Sequence, residues 1–301
     1  MPVGMGYKPK PILQSEANDF VIAHLDAMIE GIDYGKAIGH VITSVERQNI
    51  EPHPFPYVVL ENVFDEGTYA ALLQLVALDD LFYIEEGGSG YTILRYPETN
   101  YNLSTSIQTF IEFMAEDLTP ALLDALRRKF SGYLLNWADD LRQRGLYCKP
   151  AAAMLSTEIR AEHHPYHHAP HDRMTAQFEI MRRTRDFAIS PHCHPVRELL
   201  IALLPITPDD SLADYGTDLF AVKEGCAAAM DLSEFSYVAP ALLEPAGRTK
   251  FLRNSAFVML NTTGVHAYTP PPQPRPRSYL YATLIIGSQA FARHETTKAE
   301  A

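Results

Sequence analysis

In "SPHCHPVRELLIALLPI" (Ser190 to Ile206) two histidines, His192 and His194, stand one residue apart ahead of a long apolar run. In an extended backbone, residues i and i+2 project to the same side. Both imidazoles can then reach one point in space, as two ligands of a single metal ion would. The pair is a short motif, and two surface histidines on a proline-pinched turn would spell the same text. Cys193 falls between them on the opposite side of the strand, where its expected role is packing.

A second set of chemistry-bearing residues lies in "FLRNSAFVMLNTTGVHAYTPPPQPRPRSYLYATLI". It holds a strand, then His266, a proline-rich loop, and a strand opening on Arg277. Each residue alone has an ordinary alternative: a polar histidine at a loop edge, and an arginine pointing into solvent at a strand start. The order of the parts changes the weighing. A close histidine pair opens one strand, a distant histidine ends another, and an arginine opens the strand after that. Tyr279 and Tyr281 share the face of Arg277 on that strand and can line a pocket beside it. The tract "EHHPYHHAPHD" adds His163, His164, His167, His168 and His171. Its prolines, polar character and lack of cysteine partners suit an exposed or substrate-covering loop better than a four-ligand structural zinc site.

This order resembles that of the iron- and 2-oxoglutarate-dependent oxygenases, in their prolyl 4-hydroxylase-like branch. "PFPYVVLENVFDEGTYAALLQLV" is similar to the first strand and helix of such proteins. "DFAISPHCHPVRELLIALLPITPDD" is similar to the segment with the first metal motif, and the His266 segment to the one with the distal histidine. The resemblance implies an α+β chain with a double-stranded β-helix (jelly roll) core and N-terminal supporting helices. It implies Fe(II) and the cosubstrate 2-oxoglutarate, with His192 and His266 as ligands and Arg277 holding the cosubstrate's far carboxylate. A guanidinium suits that role because it meets a carboxylate with two parallel hydrogen bonds. It also implies dioxygen and a small-molecule or side-chain substrate.

The departure from the family is at His194, which stands where the family has the aspartate of its two-histidine, one-carboxylate triad. Three neutral imidazoles leave an Fe(II) centre one unit more positive than the usual set, which alters metal affinity and redox potential. Three outcomes follow, in order of preference. His194 ligates and the site still uses 2-oxoglutarate; or it ligates a site that activates dioxygen directly on substrate; or the protein is a catalytically silent binding member of the fold. Glu198, Asp209 and Asp210 are nearby carboxylates, but counting along the pleat puts Glu198 too far from the pair for easy chelation.

Other elements must position these residues. The text from Ser15 to Arg47 is helical, with Phe20, Ala23, His24, Ala27 and Met28 on one face and Ser15 as N-cap. "EPHPFP" ends it. "YVVLENVF" reads as a strand and "DEGTYAALLQLVA" as a helix capped by Asp65. Residues 87–102 read as loop or short strands. Two helices follow, "STSIQTFIEFMAEDL" and "TPALLDALRRKFSGYLLNWADDLRQRG", the second capped by Thr119 with Pro120 in its first turn. From Ala151 the apolar runs become strand-like: "AAAMLSTEIR", "RELLIALLPI", "TDLFAV", "SAFVMLN" and "SYLYATLII". The organisation expected is an arm and helical extension over 1–50, a jelly-roll domain with its supporting helices over 51–290, and a tail over 291–301.

Composition bounds the function. The 301 residues carry a formal charge of −12, which argues against nucleic acid as a partner, since phosphate binding wants a basic surface. No apolar run approaches the roughly 20 residues that span a membrane, and the first residues lack the apolar core of a signal peptide. Cys148, Cys193 and Cys226 are a sparse, odd set that suggests reduced thiols. A cytoplasmic location is expected.

Overall fold

In a computed structural model, residues 16–78, 83–84, 91–95, 103–143, 147, 149–161, 173–183, 188–226, 235–261, 264–273, 275 and 277–287 are described. The histidine tract at 163–171, Cys148 and the proposed cap Ser15 lie outside them. No helix among the described residues is long and apolar enough to cross a membrane.

The first helical text forms two helices, α1 (Glu16–Glu30) and α2 (Tyr34–Arg47), with Asp33 capping the second by accepting from Lys36 N at 3.0 Å. The face expected to be buried on α1 is the wrong one. Phe20 is 77% exposed, and Ala23, His24 and Ala27 are exposed with it. Leu25 and Ile29 are buried instead, with Ile22 packed against the same core. The Ile22–Leu25–Ile29 stripe is aliphatic throughout, whereas the expected face mixes Phe20 and Met28 with two alanines and a histidine, and the uniformly aliphatic stripe is the one covered. Helix α3 (Glu66–Ala77) is capped as its sequence suggests: Asp65 Oδ1 accepts from Gly67 N and Thr68 N, each at 3.1 Å.

Helix α4 (Thr105–Glu112), capped by Ser104, runs through a π-helical turn (Phe113–Leu118) directly into α5 (Thr119–Lys129). Thr119 is therefore no N-cap; its own N–H bonds to the Met114 carbonyl inside a continuous helix. Pro120 has no N–H to donate to the turn before it, and the helix passes through it beside a π turn. The long helix expected from Thr119 onward also divides, at Phe130, before α6 (Ser131–Gln143). "AAAMLSTEIR" holds a short helix, α7 (Ala153–Ser156), where strand was expected, and only Ile159–Ala161 (β4) is extended. Its alanines favour helix, and tertiary pairing claims only the end of the run.

The strands form two sheets, antiparallel except where β4 pairs with β5. One orders β1 (Tyr57–Glu61), β11 (Ser255–Leu260), β7 (Glu198–Ile206), β13 (Arg277–Ile286), β5 (Met174–Arg183), β3 (Tyr91–Arg95) and β2 (Tyr83–Ile84). The other orders β10 (Leu243–Arg248), β8 (Thr217–Val222), β12 (Val265–Tyr268), β6 (Ile189–Cys193) and β9 (Ser236–Tyr237). From β5 to β8 successive strands alternate between the sheets, and so do β11, β12 and β13.

The larger sheet has two different faces because side chains alternate along each strand. Leu280, Ala282, Leu284 and Ile286 of β13 join Leu200, Ala202 and Leu204 of β7 in the core shared with the helices. On the opposite face Ile201, Phe257 and Met259 pack with Leu219 of the smaller sheet. That inner face of β13 presents Arg277, Tyr279 and Tyr281. Strand β5 was missed in the sequence, although Met174, Ala176, Phe178 and Ile180 alternate in the pattern of a half-buried strand.

One glycine is required by close approach. A Cβ on Gly216, which leads into β8, would lie 2.1 Å from the Thr249 carbonyl oxygen. Gly216→Ala is expected to destabilise the fold by about 1–3 kcal/mol or more, as overpacking against backbone does. Gly39, inside α2, has nothing within 4 Å of its would-be Cβ. Gly39→Ala is expected to stabilise by about 0.5–1 kcal/mol, through helix propensity alone. Denaturant unfolding of the two variants should shift in opposite directions.

Candidate metal centre

The centre is assembled by strand pairing. Strand β12 lies between β6 and β8, and its register sets His266 directly opposite His192. Cross-strand partners project to the same face, so the two imidazoles meet, with ring centroids 4.2 Å apart. His194 follows two residues after His192, just past the end of β6, and its ring lies parallel to that of His266 at 5.1 Å. The pair therefore closes β6 in the smaller sheet rather than opening β7, as the apolar run after it suggested. Cys193 points away and is fully buried beside Val238, Leu243 and Val265.

Ligand nitrogens of His192, His194 and His266 all lie within 4.8 Å of one another, and all three residues are buried. Among the described residues this is the one group of three or more histidines, cysteines or carboxylates so placed. Hydrogen bonds fix two tautomers. His192 Nδ1 donates to the Ser190 carbonyl at 2.9 Å, and His194 Nδ1 donates to Glu198 Oε2 at 2.8 Å. In the neutral tautomer that each bond selects, Nε2 is the lone-pair nitrogen. Burial, followed by the neighbouring imidazoles His192 and His194, pushes the His266 pKa well below its ordinary range, so this ring is neutral. Three converging imidazoles are a donor set that fits a divalent first-row metal.

The backbone around His194 is held as firmly as its ring. Asn261, at the end of β11, donates from Nδ2 to the carbonyls of His194 (3.2 Å) and Pro195 (2.7 Å). The turn returns on itself where Glu198 N donates to the Pro195 carbonyl at 2.9 Å. Glu198 is thus one hydrogen bond from His194, where counting along a continuous pleat had set it far away. The tight turn between β6 and β7 brings it back.

Arg277 is buried at the start of β13, and its guanidinium lies between two rings, 4.0 Å from the centroid of Phe251 and 4.2 Å from that of Tyr268. Tyr268 is two residues after His266 on β12, so one strand links the arginine to the histidine cluster. The rings clamp the guanidinium plane by cation–π attraction, which leaves its edge as the direction for hydrogen bonding. Tyr279 and Tyr281 follow on the same face. Burial, with the Glu198 charge next, holds the Tyr281 phenol well above its ordinary range, so it is a neutral hydroxyl.

Two aromatic residues escaped the sequence reading. Phe235 packs its ring 4.8 Å from His192 and 5.6 Å from His194, and Tyr237 meets Phe235 edge-on at 5.4 Å. Both are exposed, at 47% and 69%. Tyr237 lies in β9, a two-residue strand with no apolar run to announce it, and Phe235 stands immediately before that strand; the only signal was the spacing of two aromatics in "SEFSY".

No protein-family model and no curated protein matches the chain. Solved structures of similar shape include the non-haem α-ketoglutarate-dependent epimerase SnoN from nogalamycin biosynthesis, at 10% identity and a TM-score of 0.45 over 84% of this chain and 82% of that one. A Pseudomonas putida prolyl-4-hydroxylase aligns at 10% identity and a TM-score of 0.42, over 83% and 98% of the two chains. HygX from Streptomyces hygroscopicus, with nickel and 2-oxoglutarate bound, aligns at 12% identity and a TM-score of 0.35, over 76% and 82%.

Proposed function

We propose that the chain is a non-haem iron oxygenase with a jelly-roll core that binds Fe(II) on His192, His194 and His266 and uses 2-oxoglutarate and dioxygen to oxidise a small molecule or side chain. The observation that carries this reading is the convergence of three imidazoles on the smaller sheet with a ring-clamped arginine on β13 of the larger one. Passage of the chain back and forth between two sheets is the winding such a core requires. Iron at this position supplies, with its cosubstrate and dioxygen, the oxidising chemistry that no side chain can.

In this reading the residues divide the remaining work. Arg277 takes the far carboxylate of 2-oxoglutarate through the edge of its guanidinium. The hydroxyls of Tyr279 and Tyr281 line the pocket on the same strand. Phe235 and Tyr237 offer exposed rings beside His192, so the substrate has an apolar or ring-bearing part that lies on them. Burial around the histidines keeps water from competing with substrate.

A second reading has one observation behind it: with only neutral imidazoles as ligands, iron could act on a bound substrate with dioxygen and without 2-oxoglutarate. Anaerobic equilibrium binding of 2-oxoglutarate to the Fe(II)-loaded chain separates the two, followed by succinate release on admitting air. Binding with slow succinate formation even without substrate is expected. An iron-loaded chain that binds no 2-oxoglutarate would favour the second reading, and a chain that takes up no iron would favour a silent binding protein.

A further inference from the structure

Given that metal centre, on which this step rests, we infer that Glu198 is a positioning residue that supplies the site's missing negative charge through His194. A divalent cation on three neutral imidazoles leaves two uncompensated positive charges in a buried place, which disfavours the bound metal. Glu198 removes one of them from one imidazole away.

The contact is built rather than incidental. Glu198 Oε2 stands 2.8 Å from His194 Nδ1, with 19% and 11% of the two side chains exposed. Both partners are fixed: His194 by the Asn261 bonds to its carbonyl and that of Pro195, and Glu198 as the first residue of β7, paired with Ile285. The histidines are not equivalent in this respect. His192 gives its Nδ1–H to a neutral carbonyl, that of Ser190, whereas His194 gives its own to a carboxylate. A carboxylate behind a ligating imidazole fixes its tautomer, aims its other nitrogen and raises that nitrogen's basicity. Three imidazoles with one such carboxylate carry the same formal charge as two imidazoles and a directly bound carboxylate. The change from carboxylate to histidine at position 194 is thereby offset one residue contact further out.

The test is Glu198→Gln, which keeps an oxygen acceptor of the same reach and removes the charge. The metal-free full-length chain is titrated with Co(II), whose visible absorption reports the ligand field. Expected are a Co(II) affinity about 10- to 100-fold weaker than in the parent and a shifted absorption at saturation, with little change in the thermal unfolding of the metal-free protein. In a His194→Asp background, where no Nδ1–H remains to accept, the same Glu198→Gln change should no longer weaken binding. A variant that binds Co(II) as the parent does, with the same spectrum, would overturn the inference and leave the metal centre standing. Equal weakening in both backgrounds would also overturn it, because the effect would then not pass through His194. A parent chain that binds no Co(II) would overturn the metal centre and this inference together.

Discussion

Arg277→Ala is expected to weaken 2-oxoglutarate binding by about 2–5 kcal/mol, the usual consequence of truncating one partner of a buried, hydrogen-bonded charge pair. That is roughly a 30- to 5,000-fold rise in the dissociation constant. The size follows from the position: Arg277 is 7% exposed, with its guanidinium against the Phe251 and Tyr268 rings, so a carboxylate meeting it is desolvated and its partner is already oriented. Arg277→Lys keeps the charge but loses the planar fork and the stacking, so an intermediate loss is expected. Iron binding should be unaffected in both variants. Isothermal titration of the Fe(II)-loaded, oxygen-free protein measures these effects, and unchanged affinity in Arg277→Ala would mean the arginine serves the fold alone.

His266→Ala has the other large expected effect. It removes the proposed ligand at the centre of the cluster, the one whose ring lies nearest His192 and parallel to His194. Changes to a residue hydrogen-bonded behind a ligand alone cost about 10- to 100-fold in metal affinity, so loss of a direct ligand should exceed 100-fold and abolish turnover. The metal-free fold should survive. Two imidazoles remain, and the buried group removed is one whose charging opposes the native state. Iron content after dialysis, read beside the circular dichroism of the same sample, separates loss of the site from loss of the fold.

Much of this site was legible because it depends on short-range alternation. An HxH pair and a histidine at a strand end carry their geometry in the text, since i and i+2 share a face. The register that joins His192 to His266 across 74 positions is fixed by pairing of β6 with β12, which the order of strands suggested but no single residue displays. Residues reached through turns were lost. Glu198 was counted along a pleat that in fact ends at Cys193, and nothing in the text around Asn261 tells that its amide holds the β6–β7 turn.

The helices show the same division. Asp65 capped α3 as its side chain and position suggest, because capping is local. Thr119 and Pro120 spell a helix start equally well, yet the chain passes through them by a π turn, since burial of Met114, Leu118 and Leu122 on one side rewards continuity. On α1 two stripes competed, and the larger aliphatic one won a partner surface that only the tertiary fold provides. Propensity settles ends where a side chain closes on its own backbone; it does not settle which face is covered.

The claim on which everything else depends is that three imidazoles share one metal ion. X-ray absorption at the iron edge of the anaerobically Fe(II)-loaded chain, with iron quantified per chain, tests it most directly. Expected is one iron per chain whose nearest shell includes three imidazole nitrogens at about 2.0–2.2 Å, falling to two in His194→Ala. A sub-stoichiometric iron content, or a spectrum with two imidazoles that His194→Ala leaves unchanged, would contradict it.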